Sequence, residues 1–180
     1  MKTKVLSLAA LVCVSAAQFA NAAGDGTINF AGNLLDQTCT VTVDGVVSPA
    51  IATVTLPTIS VGLLKKAGDT EGKKKFEIAL SSCVGAATKA SAFFNFGTTV
   101  DVATGNLKNT TGTAKEVQLQ LLDAVTDKAI QAGFDTQSAT TRNTLASGGV
   151  RMDYAVQYFA TGAAEPGTVL SSVTFNIDYE

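Results

Sequence analysis

Apolar residues recur at every second position through nearly every patterned segment of this 180-residue chain, and that repeat constrains the fold more than any other feature. Successive side chains of a strand point to opposite faces, so a period of two builds sheets with one buried face, whereas a helix needs a repeat near 3.6. In "KKKFEIALSSC", Phe76, Ile78 and Leu80 share one face, with Lys75 and Glu77 on the other; the run Lys73 to Lys75 reads as a solvated strand entrance. "SAFFNFG" and "EVQLQLLD" alternate too, the second through Val117, Leu119 and Leu121. "RMDYAVQYFATG" sets Met152, Tyr154, Val156 and Tyr158 against Asp153, Ala155 and Gln157, and "SSVTFNIDYE" carries Val173, Phe175, Ile177 and Tyr179 on one face. Turn compositions such as "GDTEGK", "GNLKNTTGT" and "SGG" separate these runs. Asp44-Gly45 between β-branched stretches predicts a tight hairpin. Only "ISVGLLKKAG" hints at helix, held to one or two turns by Gly62 and ended by Gly68. Short strands between turn signals predict an all-β sandwich or barrel, in one domain without internal repeat or linker.

The first residues belong to a different pattern. Lys2 and Lys4 precede the apolar run "VLSLAALVCV", and "Ala20-Asn21-Ala22" has small residues where a signal peptidase reads. Residues 1–22 are therefore expected to be a signal peptide, since the apolar run is too short to span a bilayer; a buried N-terminal helix is the other reading. Cleavage after Ala22 removes 22 of 180 residues and leaves 158, enough for one domain with a real core. It also takes Lys2 and Lys4 from the 13 basic residues, so that 11 face 15 acidic ones and the formal charge is −4. That balance argues against nucleic acid or an anionic membrane as partner.

Little in the chain suggests chemistry. It contains no histidine and no tryptophan, no phosphate loop between strand and helix, and no nucleophile elbow. Asp101, Asp123, Asp127 and Asp135 fall in or beside turns, where short acidic side chains bond to nearby backbone. Neither an enzyme, a cofactor nor a metal site is expected. The exported chain keeps two cysteines, Cys39 and Cys83, most simply read as one disulfide; a thiol nucleophile or a metal pair would lack a histidine partner. Asn109-Thr110-Thr111 matches the glycosylation sequon, but loop composition explains it equally well.

One strand stands apart. In "GDGTINFAGNLLDQTC", Ile28 and Phe30 point one way and Thr27, Asn29 and Ala31 the other, with Gly26 where a third large apolar side chain would be expected. This strand soon after a signal peptide, a second cysteine closing "FEIALSSC", the segment "YAVQYFATGAAEPGTVLSSVTFNIDY" and a tyrosine next to last together resemble the subunits of chaperone–usher fimbriae, most of all type 1-like major pilins. The likeness covers essentially the whole exported chain.

The resemblance implies an incomplete immunoglobulin-like sandwich lacking its final strand, with a groove left open along the C-terminal strand. Residues 23–180 are then a single fimbrial pilin domain, of which 23–34 is a donor-strand extension. Gly26, Ile28 and Phe30 would enter the core of another copy, Gly26 at a tight point of the acceptor groove. Val173, Phe175, Ile177 and Tyr179 would line the groove, and Tyr179 and Glu180 would meet a periplasmic chaperone whose basic residues hold the terminal carboxylate. Partners would be copies of the chain, that chaperone and an outer-membrane usher. The location would be the surface of a Gram-negative bacterium, with no membrane insertion and a role in cell adhesion. Physical chemistry supports the same assignment, because an open apolar edge is an aggregation hazard that strand addition removes. Three other readings fit the residues: an ordinary edge strand paired in cis with Gly26 as a bulge, a minor or adaptor pilin, and a self-contained periplasmic ligand-binding β-domain.

Overall fold

The period-two segments from Cys39 onward become strands, and their partners could not be read from the sequence. The structure, a computed structural model, describes residues 28, 29, 31, 32, 34, 36–146 and 148–180. The chain divides into two units, Met1–Asn33 and Leu34–Glu180. In the first, the described residues Ile28, Asn29, Ala31 and Gly32 are exposed.

Among its described residues the second unit holds ten strands: β1 (Thr38–Val43), β2 (Val46–Val47), β3 (Thr70–Val84), β4 (Lys89–Phe94), β5 (Leu107–Lys108), β6 (Val117–Asp123), β7 (Lys128–Ile130), β8 (Asn143–Thr144), β9 (Val150–Ala160) and β10 (Phe175–Tyr179). One antiparallel sheet runs β2-β1-β3-β9-β6-β5, with β7 sharing the β5 side of β6; the other runs β10-β4-β8. The β1–β2 hairpin turns at Asp44 (φ 45°) and Gly45 (φ 81°), the pair of left-handed residues that a two-residue hairpin of matching twist requires. Asp44 also ties the turn to β3, its carboxylate accepting from the Glu77 N–H at 2.8 Å.

The inner faces of both sheets meet in one core. Ile78 and Met152 are fully enclosed, and Phe94, Val100 and Tyr154 nearly so. The Tyr154 ring stands edge-on to Phe94 with centroids 5.3 Å apart, and its hydroxyl accepts from the Ala92 N–H at 2.8 Å, so the one polar atom of this core aromatic is satisfied. Phe76, Ile78, Leu80, Val117, Leu119, Leu121, Met152, Tyr154 and Val156 are buried as the alternation requires.

Two local expectations needed revision. The strand β6 is buried on both faces, because Gln118 and Leu122 are enclosed as well. The loop at Asp101–Thr104 covers Gln118 through Gln118 Nε2 to Asp101 Oδ2 (3.2 Å) and Thr104 Oγ1 to Gln118 Oε1 (3.4 Å). Asp123 is held by the Val125 N–H at 2.9 Å and by the Thr141 N–H and hydroxyl at 2.9 and 2.7 Å. The helical hint shrinks to a single 3₁₀ turn, Val61–Leu63, capped by Ser60 Oγ accepting from the Gly62 N–H. A second, Asp135–Ala139, carries no sequence signal of the kind used above and serves to seat one buried side chain, Gln137.

Candidate functional site

The strand β4 has partners along both edges, and that sets off what happens beside it. On one side it pairs with β10. On the other, β8 covers Lys89 and Ala90, the Tyr154 hydroxyl takes the Ala92 N–H, and the Gln137 amide replaces a further strand residue. Gln137 Oε1 accepts from the Phe94 N–H at 2.8 Å while its Nε2 donates to the Phe94 carbonyl at 2.9 Å. Buried main-chain groups are almost always paired, and here side chains finish what the short β8 does not.

Among the described residues, the outer edge of β10 has no such cover. Glu180 exchanges both main-chain hydrogen bonds with Lys89, and the Asn95 N–H donates to the Thr174 carbonyl, so residues 174, 176, 178 and 180 face β4. In an antiparallel pair the intervening residues direct their main chain to the opposite side. Phe175, Ile177 and Tyr179 therefore present N–H and C=O groups to an edge with no strand beside it among the described residues. The alternation continues upstream: Leu170 and Ser172 are tied by Asn109, Thr110 and Thr99, while the main chain of Ser171 and Val173 makes no hydrogen bond among the described residues. The same odd-numbered residues turn their side chains to the core. Val169, Val173, Phe175, Ile177 and Tyr179 all pack against it, yet each stays half-buried where their counterparts on β3 and β9 are enclosed. Among the described residues, the core is thus open along this line.

A second segment is unpaired in the same manner. Residues 51–56 alternate between exposed and half-buried, with Val54 and Leu56 against the same core, and residues 51–59 make no main-chain to main-chain hydrogen bond among the described residues. Among the described residues their main chain is held by one hydrogen bond, from the Tyr158 hydroxyl to the Pro57 carbonyl at 3.2 Å. Gly72 makes room for that tyrosine: it sits in a bulge of β3 at φ 70°, and a Cβ there would lie 2.8 Å from Tyr158 Cδ2 and 3.2 Å from Ile59 Cγ2. Ile59 and Val169, one from each unpaired segment, pack on a common small cluster of Leu64, Ala114, Val117 and Ala160. Two extended segments with bare main chain and half-covered apolar side chains are the chemistry of a strand acceptor.

Cys39 and Cys83 are joined, with Cα atoms 4.1 Å apart, linking the start of β1 to the end of β3. Ile28 is 77% exposed, while its companions Gly26 and Phe30 lie outside the described residues, as does the signal segment. At the outer face of β10, Arg142 pairs with Asp178 at 2.6 Å and Lys89 approaches Glu180 at 3.7 Å; such exposed pairs contribute little stability. Burial pushes the Tyr179 hydroxyl pKa up. Asn109 is a staple: its Nδ2 donates to the Ala114 and Thr168 carbonyls, and its Oδ1 accepts from Gly112 and Leu170. Sequence reasoning passed over residues 51–59, although "IATVTLPTI" alternates visibly, and over Gln137, whose role depends on a long-range contact. Among the described residues no helix is long and apolar enough to cross a membrane.

Comparison with known proteins agrees with this geometry. Residues 56–180 match the family model described as FimA: Type-1 fimbrial protein, A. The F17 fimbrial protein of Escherichia coli is 38% identical over 176 residues, covering 94% of this chain and 95% of its own. The major fimbrial subunit SMF-1 of Stenotrophomonas maltophilia (strain K279a) is 38% identical over 172 residues, covering 92% and 99%. Among solved structures, the P pilus rod subunit PapA aligns with a TM-score of 0.59 at 18% identity over 79% of this chain and 99% of its own. A chaperone–usher pilus subunit aligns with a TM-score of 0.58 at 20% identity, over 87% and 96%. The all-β sandwich is thus the immunoglobulin-like pilin fold, and the chain belongs to the type-1 fimbrial protein family as a structural fimbrial subunit.

Proposed function

We propose that this subunit is exported by residues 1–22, held in the periplasm by a chaperone and polymerised at an outer-membrane usher by donor-strand exchange. The extension at residues 23–34 of one copy completes the sandwich of the next, and the resulting fibre stands on the cell surface and supports adhesion. One observation carries the reading: the edge of β10, where bare main chain and half-buried Val173, Phe175, Ile177 and Tyr179 coincide. An inserted strand supplies what that edge lacks, main-chain partners along its length and apolar side chains at alternate positions. Ile28 and Phe30 fit this role, and burying each is worth about 1.5–3 kcal/mol. Gly26 provides the point at which the strand must be thin. Before assembly, a chaperone strand takes the same place, with Tyr179 and Glu180 at its recognition end.

The reading is tested by purifying material sheared from cells producing the chain and imaging it. Ordered fibres built of this subunit are expected, and a mature chain lacking residues 23–32 is expected to bind chaperone but only to cap a growing fibre. Fibres of normal length from the truncated subunit alone would overturn it.

A further inference from the structure

Among the described residues, one buried side-chain polar atom has no hydrogen-bond partner, the hydroxyl oxygen of Ser171. Its position is informative. Ser171 belongs to the odd-numbered row that faces the core, between the apolar Val169 and Val173, in the stretch whose main chain points to the open edge. Its sequence neighbours are engaged: the Leu170 N–H donates to Asn109 Oδ1 at 2.8 Å, and the Ser172 carbonyl accepts from Thr99 Oγ1 at 2.6 Å. A buried hydroxyl left unpaired costs free energy, so this one marks a place where a partner is missing.

We infer that Ser171 is a specificity-determining residue of the strand acceptor, its hydroxyl bonding to a main-chain group of the extension inserted from a second copy. This rests on the donor-strand reading above and adds a residue to it. The sequences of the two strands suit each other. The extension's face that carries Ile28 and Phe30 also carries Gly24, Gly26 and Gly32, so the bulky pair is bounded on both sides by residues without a side chain. The odd-numbered row that leads into and through β10 reads Val169, Ser171, Val173, Phe175, Ile177, Tyr179, with its one small polar member towards one end. A glycine beside Ser171 leaves the inserted main chain bare at the level of the hydroxyl, which can donate to a carbonyl or accept from an N–H. A larger residue there would cover that group and leave the hydroxyl buried and unpaired, so the serine selects the register that places a glycine next to it.

The consequence is a pair of effects of opposite sign. Ser171→Ala removes an unpaired hydroxyl from the free subunit and a hydrogen bond from the filled one. The host for the test is the exported full-length chain, residues 23–180, carrying Ile28→Asp and Phe30→Asp so that it cannot fill its own groove; the probe is a synthetic peptide of residues 23–34. Adding Ser171→Ala should leave the melting temperature without peptide unchanged or raised, and should weaken peptide binding by roughly three- to tenfold, the worth of one hydrogen bond. Equal or tighter binding by the Ser171→Ala host would overturn the inference while leaving the donor-strand reading intact. Ile177→Asp in the same host serves as the control: it should abolish binding, and if the peptide binds it as well as the parent, or fails to bind the parent, the donor-strand reading falls and Ser171 with it.

Discussion

Gly72→Ala probes the joint that holds the unpaired segment 51–59 in place. The residue sits at φ 70°, which costs a side chain about 1–2 kcal/mol. Its new methyl group would stand 2.8 and 2.9 Å from Cδ2 and Cε2 of Tyr158 and 3.2 Å from Ile59 Cγ2. The ring cannot simply swing aside, because its hydroxyl is bonded to the Pro57 carbonyl at 3.2 Å and tethers the main chain of that segment. Overpacking of this kind adds about 1–3 kcal/mol, for a combined loss of about 2–5 kcal/mol. For a domain of this size that corresponds to a fall in melting temperature of roughly 4–20 °C. Denaturant unfolding of the monomer measures it, and a cycle with Tyr158→Ala apportions it. Without the ring, only the backbone part should remain, so that Gly72→Ala costs about 1–2 kcal/mol in the Tyr158→Ala background and the coupling between the sites is about 1–3 kcal/mol. A Gly72→Ala penalty that is the same in both backgrounds, or below about 1 kcal/mol in the parent, would refute the proposed contact between bulge and tether.

Cys83→Ser should cost about 2–5 kcal/mol in denaturant unfolding, and thiol labelling of the exported protein without reductant should find neither Cys39 nor Cys83 free. Asp123 governs part of the response to acid: burial alone would raise its carboxyl pKa, but the Thr141 hydroxyl and N–H and the Val125 N–H outweigh it and hold the group below its ordinary value of 3.8. The unfolded chain then takes up the proton first, so the stabilisation is complete above that ordinary value and is lost as pH falls through the lower folded one. Unfolding measured from neutral pH down to about pH 2 should show this loss, and Asp123→Asn should flatten it while lowering stability at neutral pH. Gly26→Leu should leave periplasmic levels of chaperone-bound subunit normal and slow or stop polymerisation, at about 1–3 kcal/mol per junction; a destabilised isolated subunit that still makes normal fibres would place the strand in its own sheet.

The elements that alternate strongly were legible in the sequence. Alternation puts Phe76, Ile78 and Leu80 on the core face of a strand, where they are buried, and Asp44-Gly45 signals a hairpin turn and forms one. Those are local properties, set by the two-residue period and by the left-handed conformations that few residues tolerate. What could not be read were features that exist only once distant segments meet. Gln137 completes the edge of β4 from 43 residues away, and the second face of β6 is closed by a loop that begins at Asp101. The same limit applies to the acceptor. Alternation identified Val173, Phe175, Ile177 and Tyr179 as a core face, but half-burial and an empty edge are properties of the assembled sandwich, as is the unpaired state of residues 51–59.

The central claim is that residues 24–32 of one copy fill the open edge of another, and cross-linking between two differently marked chains tests it most directly. One chain carries Phe30→Cys; the other carries a single cysteine in place of Val173, Phe175, Ile177 or Tyr179, or of the outward-facing Thr174, Asn176 or Asp178. Side chains opposite one another on neighbouring strands have Cβ atoms about 4.5–5.5 Å apart, close enough for oxidation to trap a disulfide, whereas those on opposite faces are not. The two chains are co-assembled into fibres, oxidised and separated without reductant. Disulfide-linked dimers of the two marked chains should form with at least one of the four inward-facing positions and with none of the three outward-facing ones. Failure to form such dimers with any inward-facing position in intact fibres would contradict the account.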